Sequence, residues 1–590
     1  MERIRKIDSS ILILGVIFAI LTPILVLLIF PEILQPGLDL YWYILYWGIS
    51  PILIGVTIIG FLFGYKNIKK DQSTLEILSK KMRILIYPGA LLAILLGSCA
   101  SGYFIYLKVD LAINSYNPSG IYLSSPKLGA PVFQSPASTF TAEFGEEEIS
   151  SATLIAAKLM RGSEEIPLTV EIISSSQANF TIPLNCEPGL YSLNISVGSV
   201  VLYEPFAVRV WSAEDADPIR PFRVAQITDL HISPGENDEY SDFLQTTIDA
   251  IVISNPDLVL LTGDLTDDGE IHQYEALRDM ILQFGQFGIS MFMVLGNHDT
   301  YGRQYNNLEY WARNFAPYHF YRDIPGQNLR YIMFNTGARD SLFNLENEMP
   351  FIEESLISMD PTQESVLVCH IPPYRFCEWA SNETQENLFY EFCEEYDVHA
   401  VFAGHSHQDR VVARRSVDAV EYIGECSDNY PELTAPFAET VYIETIGRDR
   451  NPSFRWINFK NGLIVNCTYD ANGDGILDQK SSLSLKQIEL GKGLMEKITE
   501  SEWKTTINNS IKLNLWDAQA KLLLPATVDI SSPTILIKEY GTNVDINNDG
   551  NILRSYGGNV EATWIDGDNK IVIVSFEIAA EKLVQISFTL

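Results

Sequence analysis

Cysteine is scarce in this chain, which has seven cysteines among its 590 residues and no CxxC pair. A fold held together by a dense set of disulfide bonds is therefore excluded. Basic residues are also scarce, since 41 Lys and Arg stand against 75 Asp and Glu and leave a net charge of −34. A surface of that sign repels nucleic acid unless metal ions intervene, so we expect no binding to a nucleic-acid duplex. A GxSxG sequence is absent as well, which leaves catalysis by a serine nucleophile without support.

Three long apolar runs lie within the first 110 residues, at 11–30, 41–63 and 84–107. Each reaches about the 20 residues that a transmembrane helix needs, and buried core helices of a soluble domain are the alternative interpretation. Lys and Arg precede the first run and flank the segment between the second and third, whereas residues 31–40 contain none. By the positive-inside rule, we predict a multi-pass anchor in the cell membrane with a cytoplasmic N-terminus.

Everything after about residue 108 is then expected to be extracytoplasmic, with the membrane as a partner through the N-terminal helices. Five Asn-X-Ser/Thr sequences fit an exported and glycosylated chain, although such triplets also arise by chance. They begin at Asn179, Asn194, Asn382, Asn466 and Asn508.

The rest of the chain divides by its patterning. A Pro-, Ser- and Gly-rich linker over residues 111–129 leads to short strand-like runs separated by turn residues, which predict a β-sandwich domain over residues 130–213. In residues 220–448, apolar runs of strand length alternate with helical patterns such as YSDFLQTTIDAIVIS, which predicts an α/β sheet covered by helices. Residues 450–590 return to a rhythm of strands and turns and predict a C-terminal β-rich domain.

Two loops in this last segment, DANGDGILD and DINNDGN, have the oxygen ligands at alternate positions and the glycine that are typical of calcium loops. The candidate calcium ligands are Asp470, Asn472, Asp474 and Asp478 in the first loop, and Asp545, Asn547 and Asp549 in the second. Both loops lack the glutamate that closes such a site, so an Asp-Gly hairpin turn is the alternative.

The apolar runs of residues 220–448 end in the polar segments DLH, GD, GNHD, CHIPP and GHSH. Since ligands of α/β sheets collect at the carboxyl ends of strands, we expect these segments to meet at one edge. The candidate metal ligands are Asp229, His231, Asp264, Asn297, His370, His405 and His407. The histidines outside these segments, His272, His319 and His399, are interpreted as surface or packing residues.

Carboxylate, imidazole and amide-oxygen ligands together suit manganese, iron, zinc or cobalt rather than calcium or a thiolate site. Seven ligands are too many for one ion that keeps open positions. They divide naturally between two ions that are bridged by a carboxylate at about 3.5–4 Å, as in two-metal hydrolases.

In this order, DLH, GD, GNHD, H and GHSH resemble the motifs of the calcineurin-like metallophosphoesterase superfamily over residues 222–445. TGDLTDDG and GNHD are most similar to cyclic-nucleotide phosphodiesterases of the class III type. The resemblance implies a domain of layered β-sheets flanked by helices. It assigns one metal to Asp229, His231, Asp264 and His407, and the other to Asp264, Asn297, His370 and His405, with Asp264 as the bridge.

The resemblance also implies the chemistry, in which a metal-activated hydroxide attacks the phosphorus of a phosphodiester. His298 would protonate the leaving oxygen as general acid, and Asp299 would orient His298. The alternative for His298 is a hydrogen-bonding role beside a ligand.

The expected protein is thus a membrane-anchored, extracytoplasmic phosphodiesterase with a phosphoester substrate and two divalent ions. A phosphomonoesterase or nucleotide pyrophosphatase is an open alternative, because the same two-metal site serves all three reactions. So is a surface binding or adhesion protein with a non-catalytic metal centre. The sequence leaves the physiological substrate, the metal and the oligomeric state open.

Overall fold

The structure, a computed structural model, describes most of residues 120–590. The residues outside it are 1–119 and the segments 146–148, 151–153, 234–237, 302–305, 337–344, 374–382, 408–409, 417–418, 422–439, 446, 448–452, 467–481, 485–494, 510–514, 542–543, 567 and 580.

The predicted fold class is corrected in its membrane-spanning part. Within the described portion of residues 120–590, no helix is long and apolar enough to cross a membrane. The segments 11–30, 41–63 and 84–107, for which three transmembrane helices were predicted, lie outside the described residues. The prediction rested on hydropathy alone, and an apolar run does not by itself establish a spanning helix. The extracytoplasmic location and the glycosylation stay predictions.

Eight strands at the start of the described chain form one sheet with the order β1-β3-β6-β5-β4-β7-β8-β2. They are β1 Tyr122–Ser125, β2 Val132–Gln134, β3 Thr139–Gly145, β4 Leu154–Arg161, β5 Glu164–Ile172, β6 Gln177–Thr181, β7 Gly189–Val197 and β8 Val200–Val210. In β3, Phe140, Ala142 and Phe144 are buried and alternate with exposed residues, as the two-residue period of a strand requires. Most of the buried residues of this sheet form a hydrophobic cluster of their own, whereas Phe133 of β2 belongs to the large cluster of the mixed sheets. The sheet begins inside the predicted linker.

Two mixed sheets with helices follow. Their strands are β9 Phe222–Ile227, β10 Leu258–Thr262, β11 Ser290–Val294, β12 Phe320–Ile324, β13 Leu329–Met333, β14 Glu364–Val368, β15 Ala400–Ala403, β16 Arg410–Ser416, β17 Ala419–Glu421, β18 Val441–Glu444, β19 Ser453–Lys460, β20 Leu463–Asn466 and β21 Ser482–Ser484. The helices are α1 Asp238–Ser254, α2 Ile271–Gln286, α3 Asn306–Asn314, α4 Leu345–Ile357 and α5 Glu383–Glu395.

The first of these sheets has the order β11-β10-β9-β19-β20, with β21 paired to β19, and the second has the order β12-β13-β14-β15-β18-β16-β17. β9, β10 and β11 are parallel to one another, as are β13, β14, β15 and β18. β10 and β11 are buried at every position, which is expected of parallel strands that are covered on both faces.

The second sheet is covered differently on its two faces. Val366, Val368 and Phe402 belong to the large cluster that also contains the apolar residues of the first sheet. Leu367 and Val401, on the opposite face, pack with residues of α4 and α5. The two sheets therefore form layers with helices outside, so that the carboxyl ends of β9–β11 and of β14–β15 can reach a common site.

The strands of the C-terminal region form two antiparallel sheets, β22-β23-β29-β25-β26 and β24-β28-β27. Their bounds are β22 Glu496–Thr499, β23 Glu502–Asn509, β24 Leu515–Pro525, β25 Thr534–Gly541, β26 Ile552–Gly557, β27 Asn559–Asp566, β28 Asn569–Ile578 and β29 Lys582–Thr589. β19 instead pairs with β9, from Arg455 opposite Gln226 to Phe459 opposite Phe222. The first mixed sheet therefore continues past the predicted domain boundary at residue 448.

Candidate metal centre

The predicted metal ligands all follow the carboxyl ends of strands in the two mixed sheets. β9 leads to Asp229 and His231, β10 to Asp264, β11 to Asn297, β14 to His370, and β15 to His405 and His407. Buried Gln226 joins the two sheets just below them. Its Nε2 donates to Thr262 Oγ1 at 3.1 Å and to Ala403 O at 3.0 Å, and Thr445 Oγ1 donates to its Oε1 at 2.6 Å.

The side chains converge into two groups that share neighbours. In each group, every residue has a ligand atom within 4.8 Å of those of the others: Asp229, His231 and His407 form one, and Asp264, His370 and His405 the other. A third set, His231, Asp264 and His298, meets the same criterion and links them. Asn297 lies beside Asp264, because the backbone N–H of His298 donates to Asp264 Oδ1 at 2.8 Å. The structure thus brings together six of the seven predicted ligands by their side chains, and it places Asn297 in the turn beside Asp264.

Five of these residues have a left-handed backbone, which side chains other than glycine seldom adopt. φ is 53° at Asp229, 44° at His231, 49° at Asp264, 66° at His405 and 51° at His407. Such conformations cost about 1–3 kcal/mol each and persist where the surrounding structure enforces them, often at ligand clamps.

Two glycines allow the segments to approach closely. A Cβ on Gly296 would lie 2.1 Å from Asp264 Oδ1, and one on Gly404 would lie 2.0 Å from Thr228 Oγ1 and 2.8 Å from Asp229 Oδ2. The backbone N–H of His405 also donates to Asp229 Oδ2 at 3.1 Å. The glycines of GNHD and GHSH are therefore required by packing at the site.

Asp264 and His370 face each other across a short contact that requires either a proton or a metal ion. His370 Nδ1 lies 2.7 Å from Thr262 O, where it must donate, so the lone pair of a neutral ring is on Nε2. That Nε2 lies 3.0 Å from Asp264 Oδ2 and makes no hydrogen bond there. Two electron-rich atoms at this distance need a proton or a metal ion near them. Fixing one imidazole nitrogen by a carbonyl is the usual way in which proteins orient a histidine toward a metal.

Other polar atoms at the site are also buried without a hydrogen-bond partner. His231 Nδ1 and Nε2 and Asn297 Oδ1 are buried and have no hydrogen-bond partner. Leaving a buried acceptor unsatisfied costs about 1–3 kcal/mol, so such atoms together at one place require an explanation. Imidazole nitrogen, carboxylate and amide oxygen are suitable donors for divalent transition metals. The donor set therefore fits the group that the sequence predicts.

His298 and Asp299 have different surroundings. His298 Nδ1 lies 2.7 Å from the backbone oxygen of Asp267, and its ring lies edge-on to that of His231 with centroids 4.5 Å apart. The Asp299 carboxylate is fully buried and accepts from the backbone N–H groups of Gly296 at 2.8 Å and Thr266 at 2.8 Å. Asp299 thus ties together the turns after β10 and β11, whereas Asp267 makes the contact that orients the His298 ring.

The comparisons with known proteins agree with this geometry. Residues 222–409 match the calcineurin-like phosphoesterase family. Over 223 residues the chain is 26% identical to a 3′,5′-cyclic-nucleotide phosphodiesterase of Nostoc sp., covering 36% of this chain and 79% of that protein. Over 207 residues it is 26% identical to a probable cyclic nucleotide phosphodiesterase of Moraxella catarrhalis, covering 32% of this chain and 72% of that protein.

This chain contains a calcineurin-like metallophosphoesterase domain. It is a metal-dependent phosphoric ester hydrolase, and its family implies divalent metal ions. A solved structure of purple acid phosphatase from yellow lupin seeds is similar at 14% identity and a TM-score of 0.37, covering 59% of this chain and 72% of that chain.

The electrostatics of the metallophosphoesterase site follow from burial and from the Asp264–His370 contact. Burial raises the pKa of Asp264, but the His370 imidazole outweighs it and holds the pKa well below its usual range. Burial lowers the pKa of His370, and the Asp264 carboxylate reverses that shift. Burial also lowers the pKa of His231, and it lowers that of His405 to about 4. Neutral imidazoles are the form that binds metal, and a cation between Asp264 and His370 would displace a proton.

The three histidines outside the polar segments have protein partners. His272 Nδ1 lies 3.3 Å from Glu270 Oε2, and His319 Nδ1 lies 3.3 Å from Glu348 Oε2. Buried His399 accepts the backbone N–H of Ile464 at Nε2, at 2.9 Å. These contacts agree with surface and packing roles.

The first candidate calcium loop, with Asp470, Asn472, Asp474 and Asp478, lies outside the described residues. The second is described. Asp545 Oδ1 accepts the backbone N–H of Asn547 at 2.9 Å, and Asp549 Oδ1 pairs with Lys538 Nζ at 3.0 Å. The Asp545 contact is the one that an ordinary turn makes, and the Asp549 carboxylate has a lysine partner from the preceding strand β25.

Sequence reasoning missed two residues at the site. The motifs assign no role to Asp267, although its Oδ1 lies 3.5 Å from His231 Nδ1 and 3.8 Å from His298 Nδ1. They assign none to Tyr301 either, yet its hydroxyl accepts from Asn297 Nδ2 at 2.8 Å. The acidic TGDLTDDG segment contained a hint of the first residue; nothing in the sequence indicated the second.

Proposed function

We propose that this chain hydrolyses phosphodiesters at a centre of two divalent metal ions. One ion would be held by Asp229, His231, Asp264 and His407, and the other by Asp264, Asn297, His370 and His405. The observation that carries the proposal is the convergence on Asp264: its Oδ2 lies 3.0 Å from His370 Nε2 and 4.0 Å from His231 Nε2, between the two ligand groups. A carboxylate in this position is suited to bridge.

When bound, the two ions would lower the pKa of a water molecule and offset the charge that develops on the phosphoryl oxygens. The residues of the chain do the positioning. Asp264 Oδ1 is held by the His298 backbone N–H at 2.8 Å, and Asp229 is held by the His405 backbone N–H. The first hydrogen bond joins the turn after β11 to the turn after β10, and the second joins the turn after β15 to the turn after β9. These contacts fix the positions of the ligand-bearing turns relative to one another.

His298 is the proposed general acid. Its Nδ1 donates to the Asp267 carbonyl, which leaves Nε2 as the nitrogen that can carry a transferable proton to a leaving oxygen. The ring is about one-third exposed, so a substrate can approach it, and it lies within 4.8 Å of ligand atoms of His231 and Asp264. Proton transfer of this kind contributes about 10²–10⁴-fold to a rate.

The preference for diesters rests on the relatives, whose names describe cyclic-nucleotide phosphodiesterases. A monoesterase differs in needing to neutralise a second charge on the phosphoryl group. The phosphomonoesters and nucleotide pyrophosphates are therefore the informative competitors in a substrate panel.

The experiment is hydrolysis by the full chain, stripped of metal and reloaded with manganese, iron or zinc. The panel contains bis-p-nitrophenyl phosphate, p-nitrophenyl phosphate, 2′,3′- and 3′,5′-cyclic nucleotides, a nucleotide pyrophosphate and a glycerophosphodiester. We expect metal-dependent cleavage of diesters ahead of the monoester. Faster turnover of the monoester or the pyrophosphate would reject the diester preference, and two bound ions without any turnover would reject catalysis.

A further inference from the structure

Tyr301 is attached to the turn that carries Asn297 and His298. This turn is a single 3₁₀ turn, His298–Thr300, closed by hydrogen bonds from Thr300 N to Asn297 O at 3.1 Å and from Tyr301 N to His298 O at 3.1 Å. Tyr301 is therefore four residues after Asn297 and returns to the same side of the turn. Its position is set by backbone contacts rather than by a long flexible loop.

The Tyr301 side chain contacts both functional residues of the turn. Its hydroxyl accepts a hydrogen bond from Asn297 Nδ2 at 2.8 Å. Its ring lies against the His298 ring, with centroids 4.5 Å apart and planes inclined by 41°. The His231 ring also contacts this imidazole, with centroids 4.5 Å apart and planes nearly perpendicular. His298 thus packs against both Tyr301 and His231.

The contact at Asn297 determines which end of the amide is available to a cation. Nδ2 is engaged by Tyr301, while Oδ1 is buried without a hydrogen-bond partner. The reverse orientation would direct an NH₂ group toward the ligand cluster, where a cation requires an oxygen. A neighbouring group that fixes a ligand in this way commonly changes metal affinity by about 10–100-fold when it is removed.

We propose that Tyr301 is a positioning residue with two separable actions: its hydroxyl orients Asn297 Oδ1 toward the second metal, and its ring holds His298 in place for proton transfer. The proposal rests on the proposed function, because it presumes that Asn297 is a ligand and His298 an acid. In this role Tyr301 acts through Asn297 and His298, the two residues that its hydroxyl and its ring contact.

Two substitutions separate the actions. Tyr301→Phe keeps the ring and removes the hydroxyl, while Tyr301→Leu removes both. A matched control is Tyr203→Phe in the N-terminal sheet, where the hydroxyl donates to Ser192 Oγ at 3.1 Å, far in sequence from the site. The full chain is used throughout, with manganese as the probe.

The first measurement is calorimetric titration of manganese into the stripped chain. We expect wild type to bind two ions, Tyr301→Phe to weaken the second ion by about 10-fold or more with the first unchanged, and Tyr203→Phe to match wild type. Equal affinities in wild type and Tyr301→Phe would overturn the role of the hydroxyl while leaving the two-metal centre intact. A wild-type chain that binds no second ion would instead remove the proposed function, and the inference with it.

The second measurement, at saturating manganese, compares turnover of diesters with a good and a poor leaving group. If His298 is no longer held in place, hydrolysis of the diester with the poor leaving group should slow most, because its leaving oxygen needs a proton. Hydrolysis of the p-nitrophenyl diester should slow less, because p-nitrophenolate leaves readily without one. We expect the ratio of the turnover rate with the good leaving group to that with the poor one to change by about 10-fold or more in Tyr301→Leu. In Tyr301→Phe this ratio should return to the wild-type value. The same ratio in all variants would overturn the role of the ring, and a circular dichroism spectrum like that of wild type identifies variants that have folded.

Discussion

Two sites in this chain carry side chains that are typical of cation ligands and differ in structure: the metal centre around Asp264 and the loop from Asp545 to Asp549. In the loop, carboxylate oxygens are taken up by a backbone N–H and by Lys538. At the metal centre, His370 Nε2 faces Asp264 without a hydrogen bond, and Asn297 Oδ1 is buried without a partner. Donor type alone does not make a ligand site.

The difference lies in what holds the side chains. The partners of the loop carboxylates are close in sequence, a backbone N–H of the loop itself and Lys538 on the preceding strand β25, so local contacts satisfy them. Residues of the centre come from two sheets, and several keep strained φ values that only the surrounding structure can enforce. Buried polar atoms without hydrogen-bond partners, together with strained backbone conformations, therefore indicate a cation site better than the residue composition of a segment does.

The largest effect is expected from Asp264→Asn, which removes the shared carboxylate. An amide cannot supply the negative charge that the two ligand groups face, so we expect manganese-dependent turnover of bis-p-nitrophenyl phosphate to fall by more than about 100-fold, with loss of bound metal. Rate and metal content after desalting are the measurements. Asp545→Asn makes the same chemical change in the loop from Asp545 to Asp549 and should alter neither the turnover rate nor the metal content. Equal effects in both variants would contradict the comparison.

The next effect is expected from His298→Ala. It removes the proposed acid without removing a predicted ligand, so turnover of a diester with a poor leaving group should fall by about 10²–10⁴-fold while two ions still bind. Steady-state rates together with metal content test this. His272→Ala, at an exposed histidine paired with Glu270, is the control. Loss of metal together with activity would show that His298 acts as a ligand rather than an acid.

A smaller effect is expected at His399, a histidine whose nitrogen is satisfied by the protein. Burial lowers its pKa to about 4, against the opposing charge of Asp397, and Ile464 N–H donates to its neutral ring. Between about pH 4 and 6.5 the unfolded state binds the extra proton, so stability falls as the pH falls through this window. We expect the free energy of unfolding to fall by about 2 kcal/mol between pH 7 and pH 5 because of this residue.

Urea unfolding at these two pH values, in wild type and in His399→Gln, measures the contribution. The variant should show a weaker dependence on pH and unchanged binding of manganese. An identical dependence in the two proteins would mean that His399 does not titrate differently on unfolding.

The smallest effect is expected from calcium at the second loop. Its carboxylates already have partners, so Asp545→Asn should leave the response of the melting temperature to added calcium unchanged. A response that is present in wild type and lost in the variant would show that calcium displaces the local hydrogen bonds. Differential scanning fluorimetry over a calcium titration measures this directly.

Much of the fold near the site could be predicted, because parallel strands that are buried on both faces appear as apolar runs that end in polar residues. FRVAQI, LVLLT and SMFMV are such runs, and they form β9, β10 and β11. The pairing of β19 with β9 could not be predicted, since its partner lies more than 200 residues earlier. The three transmembrane helices were predicted from hydropathy at 11–30, 41–63 and 84–107, and no helix within the described residues is long and apolar enough to cross a membrane.

The sequence by itself determined which residue types follow each strand and, through their order, the resemblance of residues 222–409 to calcineurin-like phosphoesterases. Local composition is sufficient for that, because strand ends and metal-binding side chains are properties of short segments. Only the tertiary structure decided that Asp267 rather than Asp299 orients His298, and that Tyr301 holds Asn297. Those roles depend on hydrogen bonds a few ångströms long between turns from different strands, and such distances exist only once the sheets have packed.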